Sequence, residues 1–305
     1  MRILICSDGS KWALKSARFA LQLFRHTAHE LTILAFRQRA AYMSPTKKRI
    51  TRATRQKEDN LGAERPAIEI TEELQDLMGE LSIDARELVW EQQEGDMARH
   101  ILDIADGYDL ICLGGAGKGA FSQNLLGMIA DEVVMKGHGN LMVTKTSDMI
   151  CQNILVAVTP DSLSEDLAHH LGTLFQGSPA SICIEVLWEA LTERFEGYLD
   201  ASSRQRVAAM VDADLFDDPE HLENILAIIE SYGVDCSAQF RDFRSLNQLI
   251  DHVEPASYDL IIIHPPPREA SLLNFLGSEK ESLTLMRKSS PNVMLLRSVP
   301  GTTKA

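Results

Sequence analysis

Short apolar runs alternate with stretches of helical periodicity along the whole chain. Arg2–Ser7 is a mostly apolar run, which is typical of a strand buried on both faces of a parallel sheet. After Asp8-Gly9-Ser10, apolar residues recur at the ~3.6-residue period of a helix from Lys11 to Arg25. In the first half, the alternation predicts strands at 2–7, 31–36, 86–90, 109–113 and 141–145 and helices at 11–25, 71–81, 96–105 and 128–136.

The second half repeats the first at a nearly constant distance. The matching blocks are 3–8 with 154–159, 108–113 with 258–263, 126–127 with 276–277 and 140–143 with 292–295, at offsets of 150 to 152. We therefore predict two copies of one domain, 1–148 and 149–305. The second copy has predicted strands at 152–158, 180–187, 237–240, 259–263 and 293–297 and helices at 165–175, 219–232, 244–253 and 278–288.

This order of elements predicts the fold class. Strands that alternate with helices form parallel sheets through right-handed crossovers, so we expect an α/β protein of two tandem, doubly wound, five-stranded parallel-sheet domains. Ligands of such sheets bind beyond the carboxyl ends of the strands, where the strand order reverses. The loops after strand one and strand four are therefore the places to look for a site.

Composition and charge narrow the classes of partner. The 305 residues are 45% apolar, with 30 Lys and Arg against 44 Asp and Glu, a net charge of −14 that makes nucleic-acid binding unlikely as a function. No apolar run is long enough to span a bilayer and no signal peptide is evident, so we expect no membrane partner. The five cysteines have no metal-ligand spacing and are typical of a protein of the reducing cytoplasm.

The loop after strand four of the first copy is rich in glycine. Gly114, Gly115, Gly117 and Gly119 let the backbone turn its N–H groups inward, and the helix predicted from position 128 adds the positive end of its dipole. Lys118 adds a full charge. A merely tight turn is the alternative, but the position between a buried strand and a helix favours a phosphate-binding nest. The loop fits neither a P-loop nor a first-strand dinucleotide motif.

The spacing Gly114-x2-Gly117-x9-Gly127, together with Ile3–Ser10 and Asp109–Leu113, resembles the universal stress protein family in a tandem form. The resemblance implies an adenine nucleotide alpha hydrolase-like fold that binds ATP or AMP, with or without Mg²⁺, between strand one and the glycine loop. It implies that Asp8 contacts the adenine or ribose side and that backbone near Ala35 contacts the base. The predicted nucleotide site comprises Asp8, Gly9, Ser10, Ala35, Gly114, Gly115, Gly117, Lys118, Gly119, Gly127 and Met128.

The sequence departs from the family pattern in both copies. The ATP-binding motif has Ser or Thr after its last glycine, where Met128 stands; one lost hydroxyl hydrogen bond costs about 1–3 kcal/mol, which predicts weaker binding or fewer phosphates. In the second copy, prolines 265–267 replace the nest and offer no N–H groups. Thr159 replaces Asp8, although Gly277-Ser278 restores the hydroxyl. The second copy is therefore predicted to be a degenerate structural partner.

The family resemblance implies a nucleotide-binding sensor or regulator of the stress response. No nucleophile or general base is specified by the sequence, so at most slow ATP hydrolysis is expected. Two alternatives stay open at this point: a scaffold of the same fold that binds no nucleotide, and a nucleotide-consuming or flavin-binding α/β enzyme.

Two further features concern partners. The fifth strands are edge strands, and we predict that Leu141 and Val143 pair with Val293 and Leu295 within one chain or across a homodimer. The segment from Arg37 to Lys57 is basic and contains no acidic residue. It would guide phosphates, bind a polyanion or dock on the acidic surface of another copy, unless it is simply a solvated loop.

Overall fold

The computed structural model divides into two compact units, Met1–Ile150 and Cys151–Ala305, here called unit 1 and unit 2. It describes residues 1–7, 11–28, 30–36, 76, 79, 88–93, 97–114, 125–145, 150–159, 162–188, 219–242, 245–254, 258–265 and 279–297. The basic segment, the glycine loop after residue 114 and most of the helix predicted at 71–81 lie outside these residues.

Unit 1 is a parallel sheet with the strand order β3-β2-β1-β4-β5. Its apolar strands form because their side chains are buried on both faces, as in β4, where every residue is buried. The described elements are β1 (Arg2–Ser7), α1 (Lys11–Leu23), β2 (Glu30–Phe36), β3 (Leu88–Gln93), α2 (Met97–Ile104), β4 (Leu110–Gly114), α3 (Leu125–Lys136) and β5 (Leu141–Thr144).

Unit 2 repeats this architecture with the order β8-β7-β6-β9-β10, again parallel throughout. The predicted class of doubly wound α/β domains with five parallel strands each is confirmed. The described elements are β6 (Asn153–Val158), α4 (Glu165–Phe175), β7 (Ser181–Trp188), α5 (Pro219–Ser231), β8 (Cys236–Asp242), α6 (Leu246–Val253), β9 (Leu260–Ile263), α7 (Glu279–Lys288) and β10 (Asn292–Leu295).

Two predicted boundaries differ from the structure by three residues, and the other described elements agree within two. Strand β3 extends through Glu91, Gln92 and Gln93, because ladder hydrogen bonds to β2 use the backbone and an edge strand tolerates polar side chains. Helix α3 begins at Leu125 and not at Met128, so Gly127 and Met128 lie within its first turn.

The repeated aspartate of the Tyr-Asp-Leu-Ile blocks holds the amino edge of each sheet. The Asp109 Oδ2 accepts a hydrogen bond from the backbone N–H of Arg2 at 2.7 Å. The Asp259 Oδ2 accepts from the N–H groups of Gln152 and Asn153, at 2.7 and 3.0 Å. These carboxylates join the start of the fourth strand of each unit to the start of its first strand. They lie at the opposite edge from the candidate site, so their role is structural.

Candidate functional site

The strand order of unit 1 reverses between β1 and β4. The chain passes from β1 to β2 on one side and returns to β4 and β5 on the other. The strands end side by side, with Cys6 in register with Leu113 and Gly114 in register with Thr144. A parallel sheet that reverses in this way opens a crevice beyond the carboxyl ends of the two central strands.

The described members of the predicted site lie at this carboxyl edge or at the start of the following helix. Gly114 is the buried last residue of β4, and Ala35 is in register with Ser7 near the end of β2. Gly127 and Met128 belong to α3, which packs against β4. Asp8, Gly9 and Ser10 directly follow β1 in the sequence, and Gly115, Gly117, Lys118 and Gly119 directly follow β4; all seven lie outside the described residues.

The earlier start of α3 changes which backbone donors are open. The first N–H groups of a helix have no partner within it. The described helix α3 starts at Leu125, whereas the sequence predicts its start at Met128, so Gly127 lies in its first turn. The positive end of the helix dipole therefore includes Gly127, a residue without a side chain.

In unit 2, two side chains at the corresponding edge form hydrogen bonds within the unit. His264 directly follows β9, at the position that Gly114 has in unit 1, and its Nδ1–H donates to the Leu296 carbonyl at 2.6 Å. Thr159 stands at the position of Asp8, and its buried hydroxyl forms a 2.8 Å hydrogen bond with the hydroxyl of Ser162. At these two positions, His264 and Thr159, the side chains are thus engaged with their own unit.

Comparison with known proteins identifies the family. Residues 1–145, nearly all of unit 1, match the universal stress protein family. Unit 1 is a domain of the universal stress protein family. No curated protein sequence matches the chain significantly.

Solved structures extend the likeness to the whole chain. A universal stress protein from Archaeoglobus fulgidus DSM 4304 is 15% identical, with a TM-score of 0.59 over 98% of this chain and 97% of its own. A candidate universal stress protein from Pseudomonas aeruginosa UCBPP-PA14 is 14% identical, with a TM-score of 0.50 over 97% of this chain and 92% of its own. At these identities the likeness shows a shared fold, here in the tandem form that fits 305 residues.

The burial of His264 predicts an acid-sensitive unit 2. Burial lowers the pKa of His264, and the hydrogen bond to Leu296 opposes that shift. The unfolded chain, with an ordinary histidine pKa of about 6.5, then takes up a proton more readily than the folded unit, so stability falls as the pH drops below that value. Thermal unfolding of unit 2 at about pH 7.5 and about pH 5.5 measures this loss. In His264→Gln, the loss is expected to be smaller; an equal loss would contradict the assignment.

Cys6 and Cys112, which lie on the two central strands of unit 1, are not a disulfide pair. Cys6 and Cys112 lie on adjacent strands, as the sequence predicts, but Ile5 is the residue in register with Cys112. Successive side chains alternate between faces of a sheet, so the two thiols project to opposite faces. Both are buried, and burial raises the pKa of each above the usual range. They act as small apolar core residues.

A buried cation beside the candidate site, Lys145, was not predicted from the sequence. Lys145 directly follows β5, and only 3% of its surface is exposed. The signal in the sequence was a basic residue at the end of the last apolar strand of both copies, Lys145 and Arg297, 152 residues apart.

A buried polar cluster in unit 2 was also missed. Glu185 is fully buried on β7, and its Oε1 accepts from Gln239 Nε2 at 2.7 Å and pairs with His252 Nε2 at 2.9 Å. Arg241 lies 3.5 Å away. Burial raises the pKa of Tyr258 to about 12, and the nearby Cys183 and Glu185 add to this shift. The cluster ties β8 and α6 to β7, and Glu185 is in register with Ala157, one residue before the end of β6.

The part of the chain that the structure describes contains neither a metal-binding cluster nor a membrane-spanning helix. Within it, no cluster of His, Cys, Asp and Glu side chains could hold a metal ion. None of its helices is both long and apolar enough to cross a membrane.

Proposed function

We propose that unit 1 of this universal stress protein binds an adenine nucleotide, ATP or AMP, and that the protein acts as a sensor or regulator in a stress response. The observation that carries this proposal is the reversal of strand order between β1 and β4. It brings the end of β1, which Asp8 follows, next to Gly114, with which the glycine loop begins.

The residues suit the parts of a nucleotide. A carboxylate at position 8 accepts hydrogen bonds from ribose hydroxyls, and backbone at the end of β2 near Ala35 meets the base. The N–H groups of the glycine loop and of the start of α3 suit the phosphates, with or without Mg²⁺. Unit 2 supports the proposal by contrast, since His264 and Pro265 stand where unit 1 has Gly114 and Gly115.

The proposal also concerns the type of activity, the cellular compartment and the pairing of the fifth strands. A regulator is favoured over an enzyme because the residues of the site bind and orient a nucleotide but include no evident nucleophile or general base. The five free cysteines suit the cytoplasm. Pairing through the fifth strands, by Leu141, Val143, Val293 and Leu295, within the chain or in a homodimer, stays a prediction.

Isothermal titration with ATP and AMP tests the proposal. Wild-type protein is expected to bind at least one of them at millimolar concentration or below. Gly117→Val fills the nest and is expected to weaken binding by about tenfold or more. The matched control is Pro267→Val, at the equivalent position of unit 2, which leaves the affinity unchanged. Absence of binding by the wild type would refute nucleotide sensing, and unchanged binding by Gly117→Val would refute the site.

A further inference from the structure

The face of the unit 2 sheet that carries Glu185 also carries a cysteine. Cys183 lies two residues before Glu185 on β7, and successive side chains of a strand alternate between faces, so both project to the same side of the sheet. The Nε2 group of Gln239, on β8, donates to both of them, to Cys183 Sγ at 3.2 Å and to Glu185 Oε1 at 2.7 Å. The sulfur and the carboxylate are therefore neighbours.

The other four cysteines are held in the thiol form. Burial raises the thiol pKa of each of them, and they are Cys6, Cys112, Cys151 and Cys236. Cys236 is partly exposed, as Cys183 is, but its Sγ–H donates to the Leu226 carbonyl at 3.5 Å. Burial, followed by the nearby acids Glu230 and Asp235, raises the pKa of Cys236 to about 11. Cys236 is therefore a matched comparison for Cys183.

The sulfur of Cys183 has a different environment. It accepts a hydrogen bond from Gln239, and Tyr258 is its second hydrogen-bonding partner. Donors at a sulfur stabilise the thiolate, which is the nucleophilic form of cysteine. The guanidinium of Arg241, 3.5 Å from Glu185 Oε1, compensates the negative charge of the neighbouring carboxylate. Cys183 thus combines partial exposure with surroundings that suit a reactive thiol.

Two buried polar atoms of this cluster have no hydrogen-bond partner in the described part of the chain. Glu185 is fully buried, and its Oε2 is one of them, whereas its Oε1 bonds to Gln239 and His252. The Nε of Arg241 is the other, although it forms an ion pair with Glu185. Leaving buried polar atoms unpaired is costly. The pair therefore points to a small ligand that donates one hydrogen bond and accepts another.

Hydrogen peroxide has this chemistry. One of its O–H groups can donate to Glu185 Oε2, and its second oxygen can accept from the Nε–H of Arg241. A guanidinium at that oxygen stabilises the negative charge that develops there when the O–O bond breaks. The Arg241 side chain is 41% exposed and Cys183 is partly exposed, so a molecule of this size can reach the sulfur from solvent.

From these observations we propose that Cys183 is a site of oxidation by hydrogen peroxide, which binds between Glu185 and Arg241. The sulfur attacks one peroxide oxygen and the O–O bond breaks. The sulfur is oxidised to a sulfenic acid, and the second oxygen is reduced and leaves as water with the proton of the thiol. The reaction belongs to unit 2 and does not depend on nucleotide binding by unit 1.

Trapping of the sulfenic acid with dimedone tests the proposal. Reduced full-length protein is treated with hydrogen peroxide and dimedone, and the labelled cysteine peptides are quantified by mass spectrometry. Cys183 is expected to be labelled about tenfold or more faster than Cys236, the other partly exposed cysteine. Alkylation by iodoacetamide, measured in parallel, corrects for the exposure and the thiolate content of each cysteine. The corrected rate should still favour Cys183.

Variants of the two peroxide-binding side chains separate binding from exposure. Glu185→Gln puts an amide donor in place of the Oε2 acceptor, and Arg241→Lys keeps the charge but lacks Nε. Each is expected to lower the ratio of the peroxide rate to the iodoacetamide rate at Cys183 about fivefold or more. The control Cys236→Ser should leave this ratio unchanged. Thermal unfolding verifies that each variant is folded.

Three results would overturn the proposal. The first is the absence of dimedone on Cys183, and the second is a corrected rate no faster than that of Cys236. The third is a wild-type ratio in whichever of Glu185→Gln and Arg241→Lys is folded, because the two buried atoms would then bind water and not peroxide. Failure of nucleotide binding by unit 1 would leave all of these rates unchanged, so the two proposals are tested separately.

Discussion

Replacing Gly172 by alanine is expected to lower the free energy of unfolding of unit 2 by about 2 kcal/mol. Gly172 lies inside α4, where glycine is ordinarily unfavourable and alanine would stabilise the helix by about 1 kcal/mol. A Cβ at this position, however, would stand 2.7 Å from Cγ and 2.9 Å from Cε2 of Tyr232, well inside van der Waals contact. The aromatic ring, which follows α5, must move, and its hydroxyl would leave His169 Nδ1, now 3.1 Å away.

Denaturant unfolding of the wild type and of Gly172→Ala measures this loss. The matched control is the same substitution in a Tyr232→Ala background, where the ring is absent. In that background, Gly172→Ala is expected to raise the free energy of unfolding by about 1 kcal/mol, through helix propensity alone. If Gly172→Ala also raises the free energy of unfolding when Tyr232 is present, the close packing of the Tyr232 ring does not explain why position 172 is a glycine.

Replacing Met128 by serine is expected to tighten ATP binding by about tenfold. The substitution supplies the hydroxyl that the ATP-binding form of the family motif carries after its last glycine, and it does so in the first turn of α3. Because that hydroxyl would contact a terminal phosphate, the gain should be larger for ATP than for AMP.

Titration of both nucleotides into wild-type protein and Met128→Ser measures the gain. Ser278→Met, which makes the reverse change at the equivalent position of unit 2, serves as the control and should leave both affinities unchanged. An equal gain for ATP and AMP would mean that the hydroxyl does not contact a terminal phosphate. No gain for either would mean that the phosphates do not reach the start of α3.

The fold could be predicted from the sequence because each strand and each helix has its own hydrophobic pattern. Buried parallel strands such as β4 and β9 are unbroken apolar runs, and the repeat at 150 to 152 residues doubles every signal. The boundaries that differ are those set by tertiary structure. Glycine has a low helix propensity, so Gly127 is predicted to lie in a loop. In the structure it belongs to α3, which packs on β4.

Residues of the candidate site could be predicted from the sequence only where their position relative to a strand determines their location in the fold. Asp8 and Gly114 follow or end buried strands, so the topology determines which edge they occupy. Lys145 was missed because a lysine after a strand looks the same whether water or protein surrounds it, and only the folded unit shows its burial. Glu185 was missed for the same reason, since its partners Gln239 and His252 lie more than fifty residues away along the chain.

The number of nucleotides bound per chain tests the account most directly. Equilibrium dialysis of the full-length protein against labelled ATP and AMP measures this number at saturation. The account predicts one nucleotide per chain, held by unit 1, because His264 and the prolines after it replace the glycine loop in unit 2. A value of zero would contradict the nucleotide site of unit 1, and a value of two would contradict the prediction that unit 2 is a degenerate copy.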